Sequence, residues 1–225
     1  MKSELIVNHS PKSTVSENIR TIRTNLKYIC KNQKSKTLLI TSSIPREGKS
    51  FISSNLSLTF ADADERVLLI DSDLRLGRLH EIFGISNEKG LSDLLISDNV
   101  ADCMNYIQKT EYPNLYIIPR GVVPPNPSEL LNSEMLSLFI AAVRDKFDHI
   151  IFDGVPINGL PDSLILAGIV DSVILITAVG YTSIDQLSYS KKALQNIHAN
   201  VAGVIVNKLK SNSSDHYSYY SYYYE

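Results

Sequence analysis

The sequence predicts an α/β fold, a mainly parallel and doubly wound sheet with helices on both of its faces. Two observations indicate this fold. Short β-rich segments are near-continuously apolar, as strands that are buried on both faces are. Stretches of helix length separate most of these segments, and such alternation requires parallel strands joined by right-handed crossovers.

The elements can be placed in order along the chain. A capping-box spacing at 14–17 predicts that a helix begins there and runs over about 14–31, with apolar residues at helical intervals. Residues 1–12 are polar and contain Pro11, so we expect a loose arm. Strands are predicted over 37–42, 67–71, 115–119, 149–153, 172–178 and 202–207. Further helices are predicted over 49–62, 128–145, 160–170 and 183–198.

Composition excludes several classes of protein. The 225 residues carry a net charge of −2, so no overall basic character attracts nucleic acid. No apolar run approaches the ~20 residues that span a bilayer, and Cys30 and Cys103 have no metal-binding spacing. We therefore expect one domain over 1–210 in a cytoplasmic protein that reaches the inner face of the membrane through a partner.

The end of the chain concentrates tyrosine. Six of the twelve tyrosines lie in the last nine residues, in a serine-spaced polar terminus that offers their rings no core. The composition of 211–225 predicts disorder. Tyrosines crowded at a free end indicate that their phenols are a substrate. The alternative is a low-complexity end that associates non-specifically. The six are Tyr217, Tyr219, Tyr220, Tyr222, Tyr223 and Tyr224.

A phosphate-binding loop (P-loop) is predicted at 43–50, between the first buried strand and a helix. The loop reads Ser-Ile-Pro-Arg-Glu-Gly-Lys-Ser, with Ser43 where the first glycine of the pattern usually stands. In this context, backbone N–H groups and a helix N-terminus face the phosphates. Lys49 is predicted to reach the outer phosphates and the hydroxyl of Ser50 to ligate Mg²⁺.

Three aspartates follow predicted strands. Asp71 and Asp73 come at the end of the strand at 67–71, and Asp153 ends the strand at 149–153. Ligands of an open α/β sheet bind outside the carboxyl ends of its strands, where the P-loop also lies. Because three carboxylates beside phosphates would repel them, the sequence predicts that Mg²⁺ sits among them.

With these motifs the chain resembles the bacterial tyrosine kinases, a P-loop family that governs capsule and exopolysaccharide export and is related to the ParA/MinD partitioning ATPases. The resemblance runs from about residue 14 to the tail. It is carried by the P-loop, an apolar run ending in Asp-x-Asp-x-Arg, a second apolar run ending in Asp, a Pro-Pro-Asn-Pro-x-Glu-Leu-Leu stretch and the terminal tyrosines. These motifs lie at 43–50, 67–75, 150–153, 124–131 and 217–224.

The resemblance implies a site that transfers phosphate from ATP to tyrosine. Lys49 and the loop amides are assigned to the phosphoryl charge, and Asp71 is assigned to accept or orient the tyrosine proton. Asp73 is placed with them in the catalytic set. Mg²⁺ is assigned to Ser50, Asp73 and Asp153. The residues expected to bind the nucleotide are Ser43, Pro45, Arg46, Glu47, Gly48, Lys49, Ser50, Phe51 and, at the adenine, Asn207.

The resemblance also implies partners. Glu17, Arg20 and Arg23 match a Glu-x-x-Arg-x-x-Arg helix motif that joins subunits into a ring, although charges at this spacing are more often the solvated face of a helix. A tail that enters a neighbouring subunit is then expected. A separate transmembrane activator of the polysaccharide co-polymerase type and a cognate tyrosine phosphatase complete the expected set.

Two other functions stay open. A ParA/MinD-like ATPase switch shares the aspartates but usually has a second P-loop lysine, where this chain has Ile44. A non-catalytic ATP-binding regulatory subunit of a polysaccharide exporter would explain two departures from the family pattern, Arg46 in place of a glycine and Gly154 in place of a hydroxyl residue. A further departure is Leu76 with Gly77, where the family has a basic residue and a proline.

Overall fold

The computed structural model describes residues 4–33, 36–97 and 99–209, with side chains in the first range up to residue 29. The predicted tail, 211–225, and its six tyrosines lie outside these residues. Seven strands form one sheet in the order β3-β4-β2-β5-β1-β6-β7. They are β1 Thr37–Ser42, β2 Val67–Asp71, β3 Gln108–Lys109, β4 Leu115–Ile118, β5 His149–Pro156, β6 Ser172–Ala178 and β7 Val201–Asn207.

The sheet confirms the predicted fold class. All strand pairs are parallel except β3 with β4. The helices that accompany the strands are α1 Ile6–His9, α2 Thr14–Gln33, α3 Lys49–Ala61, α4 Leu79–Phe83, α5 Leu91–Ile96, α6 Pro127–Leu131, α7 Glu134–Val143, α8 Asp162–Ala167 and α9 Ile184–Asn196, with a 3₁₀-helix at Val100–Tyr106. In the described ranges, none of them combines the length and apolar character that a bilayer crossing requires.

Two hydrophobic cores, one on each face of the sheet, explain the continuous apolar runs. Along β2, Leu68 and Ile70 face one core, while Val67 and Leu69 face the other. The first core is covered by side chains from helices that include α7 and α8, and the second by α2 and α3. A strand between two helical layers has no solvated face, so alternation of polar residues disappears.

Two predicted boundaries were wrong. The helix expected over 128–145 is divided, because Ser133 adopts an extended conformation between α6 and α7. The strand expected to end at residue 153 continues to Pro156. The short helices and the 3₁₀-helix between β2 and β3 were not predicted, since each is too short for a helical period to show in the sequence.

The arm expected to be loose is packed from residue 4 onward. Leu5 is fully buried in the core under α3, and Val7 is nearly so. The side chain of Asn55 in α3 holds the arm at two points, since its Oδ1 accepts from the backbone N–H of Val7 at 3.1 Å and its Nδ2 donates to the carbonyl of Glu4 at 2.8 Å. The polar residues of 1–12 concealed this anchor because its partner lies far along the chain.

We expect Leu5→Ala to lower the free energy of unfolding by roughly 2–5 kcal/mol, as truncation of a buried leucine generally does. Urea unfolding followed by circular dichroism measures the change. Ile184→Ala is the matched control, because the Ile184 side chain is 82% exposed and its truncation leaves no cavity. Equal stabilities of Leu5→Ala and the wild type would show that the arm is not anchored.

Candidate active site

A cleft of about 660 Å³ opens at the carboxyl edge of the sheet. Its wall is built from the P-loop, the loop after β2, the loop after β5, and the arm. The residues that line it are Glu4, Pro45, Arg46, Gly48, Lys49, Ser50, Phe51, Asp73, Arg75, Leu76, Arg78, Val155, Pro156, Asn158, Gly159 and Leu160. Six of the nine residues predicted to bind the nucleotide are therefore on the cleft wall.

The P-loop depends on Gly48 for its shape. Gly48 has φ +102°, and a Cβ atom built on it would lie 2.2 Å from the amide nitrogen of Asn207. Only glycine meets both conditions, since it adopts positive φ without steric cost and leaves room for Asn207. Helix α3 begins at the next residue, Lys49, so its N-terminus faces the cleft.

The other three predicted nucleotide-binding residues do not line the cleft. Ser43 and Glu47 are fully buried. The Glu47 carboxylate accepts from the backbone N–H of Ile44 at 2.7 Å and from the hydroxyl of Thr182, which fixes the bend of the loop. Asn207 donates to the carbonyl of Glu47 at 2.8 Å. Glu47 thus supports the loop from behind, and a contact of Asn207 with adenine stays a prediction.

Arg46 occupies the position where the family pattern has glycine. It has φ +66°, in the left-handed region that side chains other than glycine rarely adopt. The residue is exposed and lies on the cleft wall. The loop therefore accommodates the arginine side chain without burying it.

The three predicted aspartates come together, but at different depths. Asp73 lines the cleft, and its Oδ1 accepts from the backbone N–H groups of Arg75 at 3.1 Å and Leu76 at 2.8 Å. Asp71 and Asp153 lie behind it, essentially without exposure, and the register of β2 against β5 makes them direct neighbours.

The environment of the two deep carboxylates disfavours their charged forms. Burial raises the pKa of Asp153 to about 6, although hydrogen bonds from Ser50 and Ser53 and the charge of Lys49 act in the opposite direction. Burial and the neighbouring Asp153 raise the pKa of Asp71 well above its ordinary value. Burial also lowers the pKa of Lys49, against the attraction of Asp153, Asp73 and Glu47.

A glycine covers Asp71. The Oδ2 atom of Asp71 accepts from the backbone N–H of Leu79 at 2.9 Å. A Cβ atom added to Gly77 would lie 2.3 Å from Oδ1 of the same carboxylate. The loop 72–77 therefore lies against Asp71 and separates it from the cleft.

The oxygen atoms at this edge fit Mg²⁺. Within the described ranges, Oδ1 of Asp71 and Oδ1 of Asp153 are buried without a hydrogen-bond partner, and Ser50 bonds to Asp153. In the same ranges, no three histidine, cysteine or acidic side chains come close enough to hold a metal ion alone. A few hard oxygen donors are what Mg²⁺ takes from a protein, because the ion keeps several waters and binds substrate phosphates.

Gly154 explains one departure from the family pattern. A Cβ atom at Gly154 would lie 2.7 Å from Oγ of Ser163 and 2.8 Å from Cδ1 of Leu39. The Ser163 hydroxyl donates to the carbonyl of Val155 at 2.6 Å. A threonine or serine at this position would therefore require the Ser163 hydroxyl and the Leu39 side chain to shift.

Sequence reasoning missed part of the wall. Glu4 from the arm and Arg78 from the loop after β2 line the cleft and form an ion pair at 2.5 Å. Neither residue belongs to a motif, so no local signal identifies it. Arg75 belongs to a motif only as the last residue of Asp-x-Asp-x-Arg.

The predicted ring residues are paired inside the chain. Arg20 and Glu17 form an ion pair at 2.6 Å on α2, and both side chains are about one third exposed. Arg23 donates to the carbonyl of Thr59 in α3. Contacts of these residues with a neighbouring subunit stay a prediction.

The raised pKa of Asp153 has a consequence for stability. The folded protein retains a proton between about pH 4 and 6 that the unfolded chain releases, so the contribution of this carboxyl favours folding below about pH 4 and is lost as the pH rises through 6. Without Mg²⁺ or nucleotide, we expect Asp153→Asn to raise the free energy of unfolding at pH 8 by roughly 3 kcal/mol and to change little at pH 4.

Urea unfolding at a series of pH values measures this difference. Asp145→Asn is the control, since the Asp145 side chain is 99% exposed and should show no such trend. If Asp153→Asn were less stable than the wild type at pH 8, the carboxylate would be stabilising in its charged form.

Comparisons with known proteins find relatives that match most of this chain. A sequence model of the AAA domain family matches residues 46–209. The tyrosine-protein kinase YwqD of Bacillus subtilis is 34% identical over 220 residues, which span 98% of this chain and 92% of the relative. The tyrosine-protein kinase etk of Escherichia coli is 34% identical over 210 residues, 93% of this chain but 29% of that longer protein.

Solved structures distinguish the two candidate families. The kinase domain of the Escherichia coli tyrosine kinase ETK aligns with a TM-score of 0.89 at 31% identity, over 93% of this chain and 82% of that one. The cell division ATPase MinD of Pyrococcus furiosus aligns with a TM-score of 0.65 at 24% identity, over 80% and 74%, and so shares the fold. This chain belongs to the family of bacterial tyrosine-protein kinases.

Proposed function

We propose that this chain transfers the γ-phosphoryl group of ATP to the tyrosines of its own C-terminal cluster, between subunits. One observation carries the proposal. Strand β7 ends at Asn207 against the P-loop, and the Nζ atom of Lys208 donates to the carbonyl of Arg46 at 2.7 Å. The segment that carries the tyrosines is therefore attached beside a loop that is proposed to hold the phosphates, and the ring proposed below would present each tail to the site of the adjacent subunit.

The described side chains suit phosphoryl transfer. Transfer needs mostly positioning and neutralisation of the charge on the γ-phosphoryl oxygens. Lys49 and the N-terminus of α3 supply positive charge from one wall. Ser50, Asp73 and Asp153 would hold Mg²⁺, with waters between the ion and the carboxylates. When bound, the ion would neutralise charge on the outer phosphates.

The acceptor hydroxyl must lose a proton. A phenol has a pKa of about 10 and is a weak nucleophile at neutral pH. Asp71 is the proposed acceptor of this proton, since burial and Asp153 raise the pKa of its carboxyl toward that of the phenol. Because Gly77 covers Oδ1 of Asp71, the role requires the end of the loop beyond Arg75 to move when the tyrosine enters.

Tandem mass spectrometry of the 211–225 peptide tests the transfer. After incubation with ATP and Mg²⁺, we expect phosphate on tyrosines of the cluster in the wild type and none in Lys49→Met. Asp71→Asn should lose transfer while it keeps most of its ATP affinity, because Asp71 is buried and does not line the cleft. Asp145→Asn serves as the exposed control. Release of ADP without any phosphotyrosine would favour the ATPase switch, and no turnover would favour the non-catalytic subunit.

We further propose that the subunits form a ring in which Glu17 pairs with Arg20 or Arg23 of the next subunit. The Glu17–Arg20 pair is accessible on α2, so it can exchange an internal partner for an external one. Arg23 is a poorer probe, since its bond to Thr59 joins α2 to α3 and its loss would also affect folding.

Charge reversal tests the ring without truncating Arg23. We expect Glu17→Arg and Arg20→Glu each to reduce the oligomer, because like charges then meet at every interface. Mixing the two variants should restore it, because opposite charges meet at every interface where the two variants alternate. Light scattering measures the size. An oligomer that each single variant retains in full would contradict the proposed contact.

The wider assignment rests on the family. We propose that a separate transmembrane activator of the polysaccharide co-polymerase type docks beside the nucleotide site and brings the kinase to the inner face of the membrane, where it regulates export of capsular or exopolysaccharide. Phosphorylation of six tyrosines would add about −9 to −12 of charge. Such repulsion should loosen the ring, and a cognate phosphatase would reset it.

A further inference from the structure

A second charged network lies on the cleft wall, apart from the P-loop and the three aspartates. Asp162, the first residue of α8, is fully buried, and its Oδ2 accepts from Nε of Arg75 at 3.1 Å. Its Oδ1 accepts from the hydroxyl of Ser128 at 2.5 Å. The Nη2 atom of Arg75 donates to that hydroxyl at 3.2 Å. Two segments that are distant from Arg75 in sequence, at Ser128 and Asp162, therefore converge on its guanidinium.

The backbone of Arg75 is held as well as its side chain. Its carbonyl accepts from Nη1 of Arg120 at 2.9 Å, and its N–H donates to Asp73. A buried carboxylate without a partner costs several kcal/mol, so Asp162 requires Arg75 to stay in place. The network thus fixes both ends of Arg75.

One edge of this guanidinium stays available. Arg75 lines the cleft, and its side chain is 36% exposed. Its Nε and Nη2 atoms are engaged, whereas no partner within the described part of the chain reaches Nη1. The guanidinium is a rigid planar fork, so an arginine fixed along one edge presents the other in a defined direction. Phosphate oxygens are the ligands that such a fork fits best.

The sheet order indicates which phosphate Arg75 meets. Strand β5 lies between β1, which leads into the P-loop, and β2, which leads to Arg75. The two loops therefore approach from opposite sides of the end of β5. Strand β7, where the adenine contact of Asn207 is predicted, lies beyond β1. A nucleotide with its base toward β7 and its phosphates on the P-loop then has its terminal phosphate nearest β2.

We propose that Arg75 binds the γ-phosphoryl group of ATP through its Nη1 edge, and that Asp162 and Ser128 are positioning residues for it. The inference rests on the proposed nucleotide function of the cleft. An arginine in this position would neutralise charge that the γ-phosphoryl oxygens carry during transfer. Its pairing with Asp162 keeps the guanidinium on the wall before the nucleotide arrives.

Calorimetric titration of the full chain with nucleotide, in the presence of Mg²⁺, tests the contact between Arg75 and the γ-phosphoryl group. The readout is the affinity for a non-hydrolysable ATP analogue divided by the affinity for ADP. Changes in net charge alter both affinities, whereas a γ-phosphoryl contact alters their ratio. We expect Arg75→Gln to lower the ratio about tenfold or more, as loss of a hydrogen bond between charged groups does. Asp162→Asn and Ser128→Ala should lower it by less.

A double variant separates positioning from direct contact. If Asp162 acts only through Arg75, the ratio in Arg75→Gln/Asp162→Asn equals that in Arg75→Gln. The double variant also leaves no unpaired buried charge, so it provides the test if either single variant fails to fold. Ser128→Ala keeps the ion pair intact and offers a third folded variant.

The matched control is Arg144→Gln/Asp171→Asn. Arg144 is 36% exposed like Arg75 and pairs with Asp171 at 2.8 and 2.9 Å, but neither residue lines the cleft. The ratio of the two nucleotide affinities in this control variant should equal that of the wild type. An unchanged ratio in Arg75→Gln and the double variant, or a further loss in the double variant, would overturn the proposal.

Tail phosphorylation, measured on the wild type beside these titrations, separates a failure of the proposed kinase function from a failure of the Arg75 contact. If it binds both nucleotides and shows the expected ratios but phosphorylates no tail tyrosine, the proposed kinase function fails and the Arg75 contact stands. If it phosphorylates its tail while the ratio is independent of Arg75, only the Arg75 contact fails. If it binds neither nucleotide, both fail.

Discussion

The structure depends on one arrangement, the burial of Asp71 and Asp153 side by side at the carboxyl ends of β2 and β5. Parallel pairing in this register leaves the two carboxylates no way to separate. Neither has enough hydrogen-bond partners among the described residues, since one oxygen of each is unsatisfied. The arrangement opposes folding unless protons or a cation neutralise the charge of the two carboxylates. Lys49 supplies positive charge at this edge, and the hydroxyl of Ser50 is an oxygen ligand of the kind that Mg²⁺ takes.

The rest of the fold offsets the cost of burying the two carboxylates and holds them at one edge of the sheet. Both faces of the sheet are covered by hydrophobic cores, so the strands that carry Asp71 and Asp153 cannot relax toward water. Small residues complete the edge, because Gly77 leaves room for Asp71 and Gly48 leaves room for Asn207. A site that is destabilised locally can persist only when its surroundings determine its geometry.

Local signals made much of this predictable. The strands β1, β2 and β6 have the bounds that their apolar runs indicate. A strand that is buried on both faces appears in the sequence as an uninterrupted run of apolar residues. The P-loop and the strand-end aspartates follow from short motifs. The arm, Glu4 and Asp162 were not predictable in this way, since Asn55 in α3 holds the arm and Asp162 contributes to the site through its pair with Arg75. Contacts between segments that are distant in sequence produce no local periodicity or motif from which they could be predicted.

The strained residue Arg46 connects the loop to the tail. A left-handed conformation costs a residue with a side chain about 1–2 kcal/mol, yet this chain has arginine where its family has glycine. The carbonyl of Arg46 accepts from Lys208, whose ammonium lies 3.7 Å from the ring centre of Tyr181. Any movement of the loop on binding phosphate would therefore change the contact that anchors the start of the tyrosine-bearing segment. The conformational cost is therefore placed at a residue that lines the proposed nucleotide site and also contacts the start of the segment that leads to the tyrosines.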